Sequence, residues 1–185
     1  AYDMESRDWS SDVCSSDLMP EHIILVGASE RPHSLGERIF SHLLGSSYQG
    51  KITPVNLRHS SVAGIPSYSS LSKIPGQADL VVAVIPPDHY DSLFKACRKK
   101  DLHHIILIQD WENLPPESCK NARSTIQKHH GDELNITVCN SAGIQLPSLN
   151  LNISTQTDYP AGHIALLTGH STVSRNINHL LNTLH

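Results

Sequence analysis

Long hydrophobic runs and tracts of one charge are both missing from this 185-residue chain. No apolar run approaches the roughly 18 residues that a membrane-spanning helix needs. The longest runs, such as Ile105–Ile108, have the length of a β-strand. No group of Lys and Arg residues has the extent of a nucleic-acid footprint. We therefore expect neither a membrane nor a nucleic acid as a partner.

Paired cysteines and metal-ligand spacings are absent as well. The chain has four cysteines, and no C-x-x-C or Cys/His motif connects them. Cysteines that are few and far apart are typical of reduced, cytoplasmic proteins. The 13 histidines are scattered, and adjacent histidines do not share a face of a strand or helix. We expect free thiols, a cytoplasmic location and no metal site.

Residues 1–18 lack the apolar periodicity of a folded segment and the regions of a signal peptide. The run from Arg7 to Leu18 resembles a translated sequencing adaptor, so we treat residues 1–18 as an artefactual leader. This leader holds five of the 18 acidic residues and one of the 14 basic residues, which leaves 13 of each from Met19 onward. The remainder is formally neutral, and its composition indicates no charged partner.

Short apolar runs alternate with amphipathic stretches along the rest of the chain. The runs predict strands at His22–Val26, Ile52–Val55, Asp79–Ile85, His104–Ile108 and Ile136–Val138. Apolar residues at helical spacing predict helices at Leu35–Leu44, Asp88–Lys100 and Pro116–His129. The unbroken run Asp79–Ile85 is typical of a strand that is covered on both faces. The pattern predicts an α/β fold, a Rossmann-like open parallel sheet with helices on both faces.

The composition changes after Gly143. Residues 145–161 are rich in Asn, Ser, Thr and Pro without periodicity, which predicts an interdomain linker. A strand at His163–Leu167 and a helix at Ser171–Leu184 would then be the first strand and helix of a truncated second α/β domain, over residues 162–185. The first domain would span residues 19–144.

Loop 1, Gly27–Gly36, joins the first predicted strand to the first helix, where backbone N–H groups and the helix dipole favour an anion. Gly27 can form the tight turn, and Gly36 allows the helix to approach closely. Ser29, Arg31 and Ser34 can donate hydrogen bonds to phosphate. The loop matches neither G-x-G-x-x-G nor a P-loop. A solvated turn is the alternative interpretation.

Loop 2, Asn56–Arg58, follows the second strand and distinguishes between nucleotides. An NAD-binding fold has a carboxylate near this point for the ribose hydroxyls, and here there is none. Arg58 instead favours a phosphorylated ribose, as in coenzyme A or NADP, because its guanidinium can bind two oxygens. A solvated Arg58 is the alternative. The basic cluster Arg98–Lys100 favours an interaction with the helix dipole over phosphate binding.

These loops resemble those of a known family. The order G-A-S-x-R-P-x-S-x-G, then P-V-N-x-R, then G-I-P-S-Y and V-I-P-P is similar to the CoA-binding domain of nucleoside-diphosphate-forming (ADP-forming) acyl-CoA synthetases, among them acetate–CoA ligases. It is also similar to the matching domain of acetate–CoA ligase-like protein lysine acetyltransferases. The resemblance extends over nearly all of the chain after Met19. Residues 162–185 are similar to the start of the family's succinyl-CoA-ligase-like domain.

The resemblance implies that the chain binds coenzyme A or an acyl-CoA. It assigns cofactor-binding roles on loop 1 to Gly27, Ala28, Ser29, Arg31, Ser34, Leu35 and Gly36, with the pyrophosphate held there. Asn56 and Arg58 would lie near the adenosine and its 3′-phosphate, and Ile85 and Pro86 beside the adenine or the pantetheine arm. ATP or ADP would bind only in regions absent from this chain. Its protein partners would be a second copy of itself or missing downstream domains.

Three segments depart from the family pattern: Gln109-Asp110-Trp111 after the fourth strand, Val138-Cys139 at the fifth, and Thr168-Gly169-His170 before the last helix. In the family these segments meet where the thioester and the acyl phosphate react. The family's phosphorylated histidine lies beyond the last residue here, so we expect a fragment that is not catalytic alone. Two alternatives stay open, a non-catalytic CoA-sensing or regulatory module and, less favoured, an NADP-binding oxidoreductase domain.

Overall fold

A computed structural model of the chain describes residues 20–131, 133–159, 161, 172–173, 175–177 and 179. The predicted leader 1–18, the predicted strand His163–Leu167 and most of the predicted helix Ser171–Leu184 lie outside the described residues. Within the part that is described, no helix combines the length and the apolarity that a bilayer crossing requires.

A five-stranded parallel sheet forms the centre of the structure, with the strand order β2-β1-β5-β6-β7. The strands of this sheet are β1 (His22–Val26), β2 (Lys51–Val55), β5 (Leu80–Ala83), β6 (His104–Ile108) and β7 (Asn135–Cys139). Two small antiparallel hairpins pair β3 (Ser61–Val62) with β4 (Ile65–Pro66) and β8 (Ile144–Leu146) with β9 (Leu151–Ile153). The helices are α1 (Leu35–Gly45), α2 (Tyr90–Lys99) and α3 (Pro116–His129).

The sheet separates two hydrophobic layers, as alternation along each strand requires. One layer joins Ile24 and Val81 of the sheet to α2 and α3, and it includes Phe94 and Ala122. The opposite layer joins Ile23, and the other strand residues on the same side of the sheet, to α1. The predicted fold class, a Rossmann-like parallel sheet with helices on both faces, is therefore confirmed.

The third strand of the sheet is shorter than its apolar run suggests. The run Asp79–Ile85 predicts a strand, but only Leu80–Ala83 has strand geometry. Pro86 and Pro87 follow, and neither has an N–H that could continue the ladder. The chain then passes through a 3-10 turn at Pro87–His89 before α2 begins at Tyr90, two residues later than predicted from Asp88.

The segment 145–161 is a correction to the sequence analysis, because part of it packs onto the first domain. The hairpin β8–β9 covers α1, and Leu151 and Ile153 are buried in the same layer as Phe40. A guanidinium nitrogen of Arg38 donates to the carbonyl oxygen of Thr155 at 2.9 Å. The buried polar side chains explain why no periodicity was visible: Asn152 Nδ2 donates to the backbone oxygen of Gln156 at 3.0 Å. The hairpin β8–β9 therefore packs against the first domain, where the sequence analysis predicts a linker.

The basic cluster at the end of α2 makes structural contacts. Arg98 donates to Nδ1 of His129 at 2.6 Å, to the His129 carbonyl at 3.0 Å and to Glu133 at 2.8 Å, and so joins α2 to α3. The ammonium of Lys100 donates to the carbonyl oxygens of Ile74 and Gly76 at 2.8 and 3.0 Å. Both side chains bond to carbonyl groups outside α2, which is a structural use different from the expected interaction with the dipole of that helix.

A buried histidine joins two strands at the amino-terminal edge of the sheet. His22 donates from Nδ1 to the carbonyl oxygen of Gln77 at 2.7 Å, so its Nε2 must accept the hydroxyl proton of Thr53, 2.8 Å away. One carboxylate oxygen of Asp79 accepts the backbone N–H groups of Glu21 and His22 at 2.9 and 2.8 Å. Because His22 and Thr53 are both buried, water cannot replace either partner.

Thr53→Val should therefore lower the free energy of unfolding by about 1–3 kcal/mol, the cost of leaving the buried Nε2 of His22 without a donor. Urea unfolding followed by circular dichroism measures the change. Thr137→Val is the matched control, because Thr137 is exposed on β7, and it should change stability by less than about 0.5 kcal/mol. Equal stabilities for the two variants would contradict this role of the His22–Thr53 bond.

Candidate functional site

A cleft of about 1020 Å³ lies at the carboxyl ends of the parallel strands. The segments that follow β1, β2, β5 and β6 all line it. In chain order the strands of the sheet are arranged 2-1-3-4-5, so the connections leave in opposite directions on either side of β1. A crevice forms at such a switch point because neighbouring connections diverge there, and ligands of open α/β sheets bind in it.

Two glycines allow backbone segments to pack closely against each other at the edge of the cleft beside β1. Gly27 has φ +92°, and a Cβ at this position would lie 2.2 Å from the Val84 carbonyl oxygen. A Cβ on Gly36, in the first turn of α1, would lie 2.2 Å from the carbonyl oxygen of Gly27. Both distances are far inside van der Waals contact. Helix α1 can therefore begin directly over the end of β1 only because neither residue has a side chain.

Two serines shape loop 1. The hydroxyl oxygen of Ser34 accepts the backbone N–H of Glu37 at 3.2 Å and caps α1. The hydroxyl oxygen of Ser29 accepts the N–H of Arg31 at 3.0 Å. A hydroxyl that accepts a bond keeps its own O–H as a donor. Both serines can therefore hold the turn and still donate to an anion next to the amino terminus of α1.

Loop 2 is bonded to loop 1. Asn56 donates from Nδ2 to the carbonyl oxygen of Ala28 at 2.8 Å, and its Oδ1 accepts the N–H groups of Arg58 and His59 at 2.8 and 3.1 Å. The structure brings every predicted site residue to the wall of the one cleft: Gly27, Ala28, Ser29, Arg31, Ser34, Leu35, Gly36, Asn56, Arg58, Ile85 and Pro86.

One wall of the cleft was not anticipated from the sequence. Helix α2 contributes Ser92, Leu93 and Ala96, and the segment 69–71 lines the same cleft. The spacing of these residues places them on one face of α2. A face that packs into the core has the same spacing, so the sequence did not indicate that α2 lines a cleft. Leu57, in loop 2, is 81% exposed at the cleft wall. It adds exposed apolar area to the wall of the cleft beside Arg58.

The altered segment after β6 contacts the altered segment at the end of β7. Gln109 and Asp110 line the cleft, whereas Trp111 packs into the α2–α3 layer and donates from Nε1 to the carbonyl oxygen of Cys139 at 2.9 Å. Burial raises the pKa of the Cys139 thiol to about 11, so a thiolate nucleophile is not available there at neutral pH. Thr168-Gly169-His170 lies outside the described residues.

Among the residues that the structure describes, no group of three or more His, Cys, Asp or Glu side chains could hold a metal ion. The described cysteines Cys97, Cys119 and Cys139 are free thiols. The cleft offers a polar backbone cradle, the guanidinium groups of Arg31 and Arg58, the carboxylates of Glu30 and Asp110, the imidazoles of His59 and His89, and apolar walls.

Comparison with known proteins agrees with this architecture. Residues 21–145 match the family model described as "CoA binding domain". The chain is 29% identical over 151 residues to the alpha subunit of ADP-forming acetate–CoA ligase II from Pyrococcus furiosus, covering 80% of this chain and 33% of that protein. It is 25% identical over 155 residues to the alpha subunit of ligase I from the same organism, covering 80% and 34%. The chain thus spans about a third of the length of these curated relatives.

Solved structures show the same fold. The protein PH0766 from Pyrococcus horikoshii OT3 superposes with a TM-score of 0.73 at 23% identity, over 89% of this chain and 38% of that one. Dinucleotide-forming acetyl-coenzyme A synthetase 1 from Ca. Korarchaeum cryptofilum, in complex with phosphate and ADP, superposes with a TM-score of 0.72 at 19% identity, over 86% and 34%. The family match covers most of the described residues and every loop of the cleft, and the chain therefore belongs to the CoA-binding domain family of ADP-forming acyl-CoA synthetase-like proteins.

Proposed function

We propose that the cleft binds coenzyme A with its pyrophosphate on loop 1 and its 3′-phosphate on Arg58. The observation that supports this arrangement is the meeting of the glycine bend at Gly27 and the Arg58 loop in one cleft. Backbone N–H groups and hydroxyls of loop 1 suit a diphosphate at the start of α1. A guanidinium suits a terminal phosphate, because it can donate two bonds to its oxygens.

The remaining lining residues suit the other parts of the ligand. Leu57 offers exposed apolar area at the Arg58 end, where the adenine would lie. Ile85 and Pro86 would flank the path of the pantetheine arm toward Gln109 and Asp110. At the tip of β7, the indole of Trp111 donates to the Cys139 carbonyl. On this proposal the thiol would be presented near the loop after β6.

We propose further that the parent protein is an ADP-forming acid–CoA ligase and that this chain supplies its CoA site. The two Pyrococcus furiosus relatives are named as alpha subunits of ADP-forming acetate–CoA ligases, and the chain covers about a third of each. ATP binding and phosphoryl transfer would belong to the remaining two thirds, so the chain alone would bind CoA without catalysing ligation. A protein acetyltransferase that uses the same site is the other possible parent. The altered Gln109-Asp110-Trp111 segment favours a second candidate, a non-catalytic CoA-sensing module.

Arg58→Gln tests the assignment of the 3′-phosphate. Wild-type protein should bind CoA more tightly than dephospho-CoA, and the variant should bind CoA about tenfold more weakly because it loses a charge-assisted contact of about 1.4 kcal/mol. Its affinity for dephospho-CoA should change little. Isothermal titration calorimetry at fixed ionic strength measures both ligands.

Arg123→Gln is the matched control for Arg58→Gln, because Arg123 is exposed on α3 and does not line the cleft. It should leave both affinities unchanged. Equal affinity of the wild type for CoA and dephospho-CoA would remove the role of Arg58. Binding of NADPH in place of CoA would support the oxidoreductase alternative.

Gly36→Ala tests the close approach of α1 to β1. The new methyl group would have to displace the Gly27 carbonyl, so we expect a loss of about 1–3 kcal/mol of stability from overpacking and at least tenfold weaker CoA binding. Gly45→Ala is the control in the same helix, since nothing lies within 4 Å of its Cβ position. This control should keep CoA affinity and gain up to about 1 kcal/mol of stability. Wild-type CoA binding by Gly36→Ala would refute the cradle.

A further inference from the structure

Asn56 stands between the two parts of the cleft that we assign to phosphates. It follows β2 directly, and its backbone N–H donates to the Tyr68 carbonyl at 2.9 Å, which fixes the residue against the neighbouring segment. Its side chain then reaches in two directions. Nδ2 donates to the carbonyl oxygen of Ala28 in loop 1, and Oδ1 accepts the N–H groups that carry Arg58 and His59.

We propose that Asn56 is a positioning residue for coenzyme A, which sets loop 1 and Arg58 at the separation between the pyrophosphate and the 3′-phosphate of the ligand. This inference rests on the proposed function of the cleft. It also changes the expected role of Asn56: the residue lines the cleft, but most of its hydrogen-bonding capacity is used within the protein. It acts through Arg58 and loop 1.

The chemistry of the side chain explains why an amide suits this position. The contact with the Ala28 carbonyl requires a donor, and the turn at Arg58 and His59 requires an acceptor. Asparagine has both at the end of one short side chain. Aspartate would set a carboxylate oxygen against the Ala28 carbonyl and place a negative charge beside a phosphate site. Serine can accept from the two N–H groups, as in an ST turn, but it has no second group to span the distance to loop 1.

A second hydrogen bond joins loop 1 to the end of β2. The N–H of Gly27 donates to the carbonyl oxygen of Val55 at 3.1 Å, one residue before Asn56. This backbone bond fixes the start of loop 1 on β2, and the Asn56–Ala28 bond fixes the next residue along. Without Asn56, the start of loop 1 would remain attached, but the placement of Arg58 relative to it would depend on the backbone of loop 2 alone.

The experiment measures the affinities of Asn56→Ser and Asn56→Ala for CoA and for dephospho-CoA by calorimetry on the full chain. The ratio of the two dissociation constants reports how well Arg58 is placed. Asn56→Ser keeps the acceptor for the Arg58 turn but loses the bond to loop 1, so it should bind both ligands about five- to tenfold more weakly, with a ratio between those of the wild type and Asn56→Ala. Asn56→Ala should bind more weakly still, and its ratio should fall at least threefold. Asn121→Ala, on the exposed side of α3, should match the wild type in both measurements.

A double-mutant cycle separates positioning from general destabilisation. In the Arg58→Gln background, Asn56→Ala should leave the ratio unchanged, because the group that reads the 3′-phosphate is already gone. Thermal unfolding confirms that each variant is folded. An Asn56→Ala protein with the wild-type ratio, or one whose ratio falls equally in both backgrounds, would overturn the positioning role. If the wild type binds neither CoA nor dephospho-CoA, the proposed CoA site is wrong. That result differs from one in which the wild type binds CoA but Asn56 has no positioning role.

Discussion

The site depends on one steric constraint, the contact of backbone with backbone where α1 crosses the end of β1. Gly36 lies against the Gly27 carbonyl and Gly27 against the Val84 carbonyl, each at a distance that excludes a Cβ. This contact directs the amino terminus of α1 into the cleft and aligns loop 1 with the tips of β2 and β5. The cap at Ser34, the bond from Asn56 and the wall at Ile85 are all placed relative to it.

The parts of the fold that follow from local pattern were predictable. The bounds of β1, β6 and α3 agree with the sequence analysis, because buried parallel strands are compact apolar runs and α3 has proline at its start. The sequence analysis also named loops that line the cleft, since ligands of open α/β sheets bind at the carboxyl ends of the strands. The assignment of loop 2 depended on a single missing carboxylate, which Asn56 replaces.

The parts that depend on contacts between distant segments were not predictable. The hairpin β8–β9 has strands of three residues, too short for an alternating pattern, and its buried Asn152 and Ser154 are bonded to each other rather than exposed. The α2 wall of the cleft has the same helical spacing as a core face. The two-sided bonding of Asn56 joins residues that are far apart in sequence, and no composition or period encodes it.

The bond between Arg38 and Thr155 connects α1 to the segment that follows β9. One end of α1 meets the bound anion in the proposed complex, while the flank of the same helix is held by the segment through which the polypeptide leaves the domain. Because α1 is held at both places, a shift of its amino terminus would also displace its flank. Tightening of loop 1 around a ligand would therefore shift α1 together with the segment around Thr155 that is bonded to it.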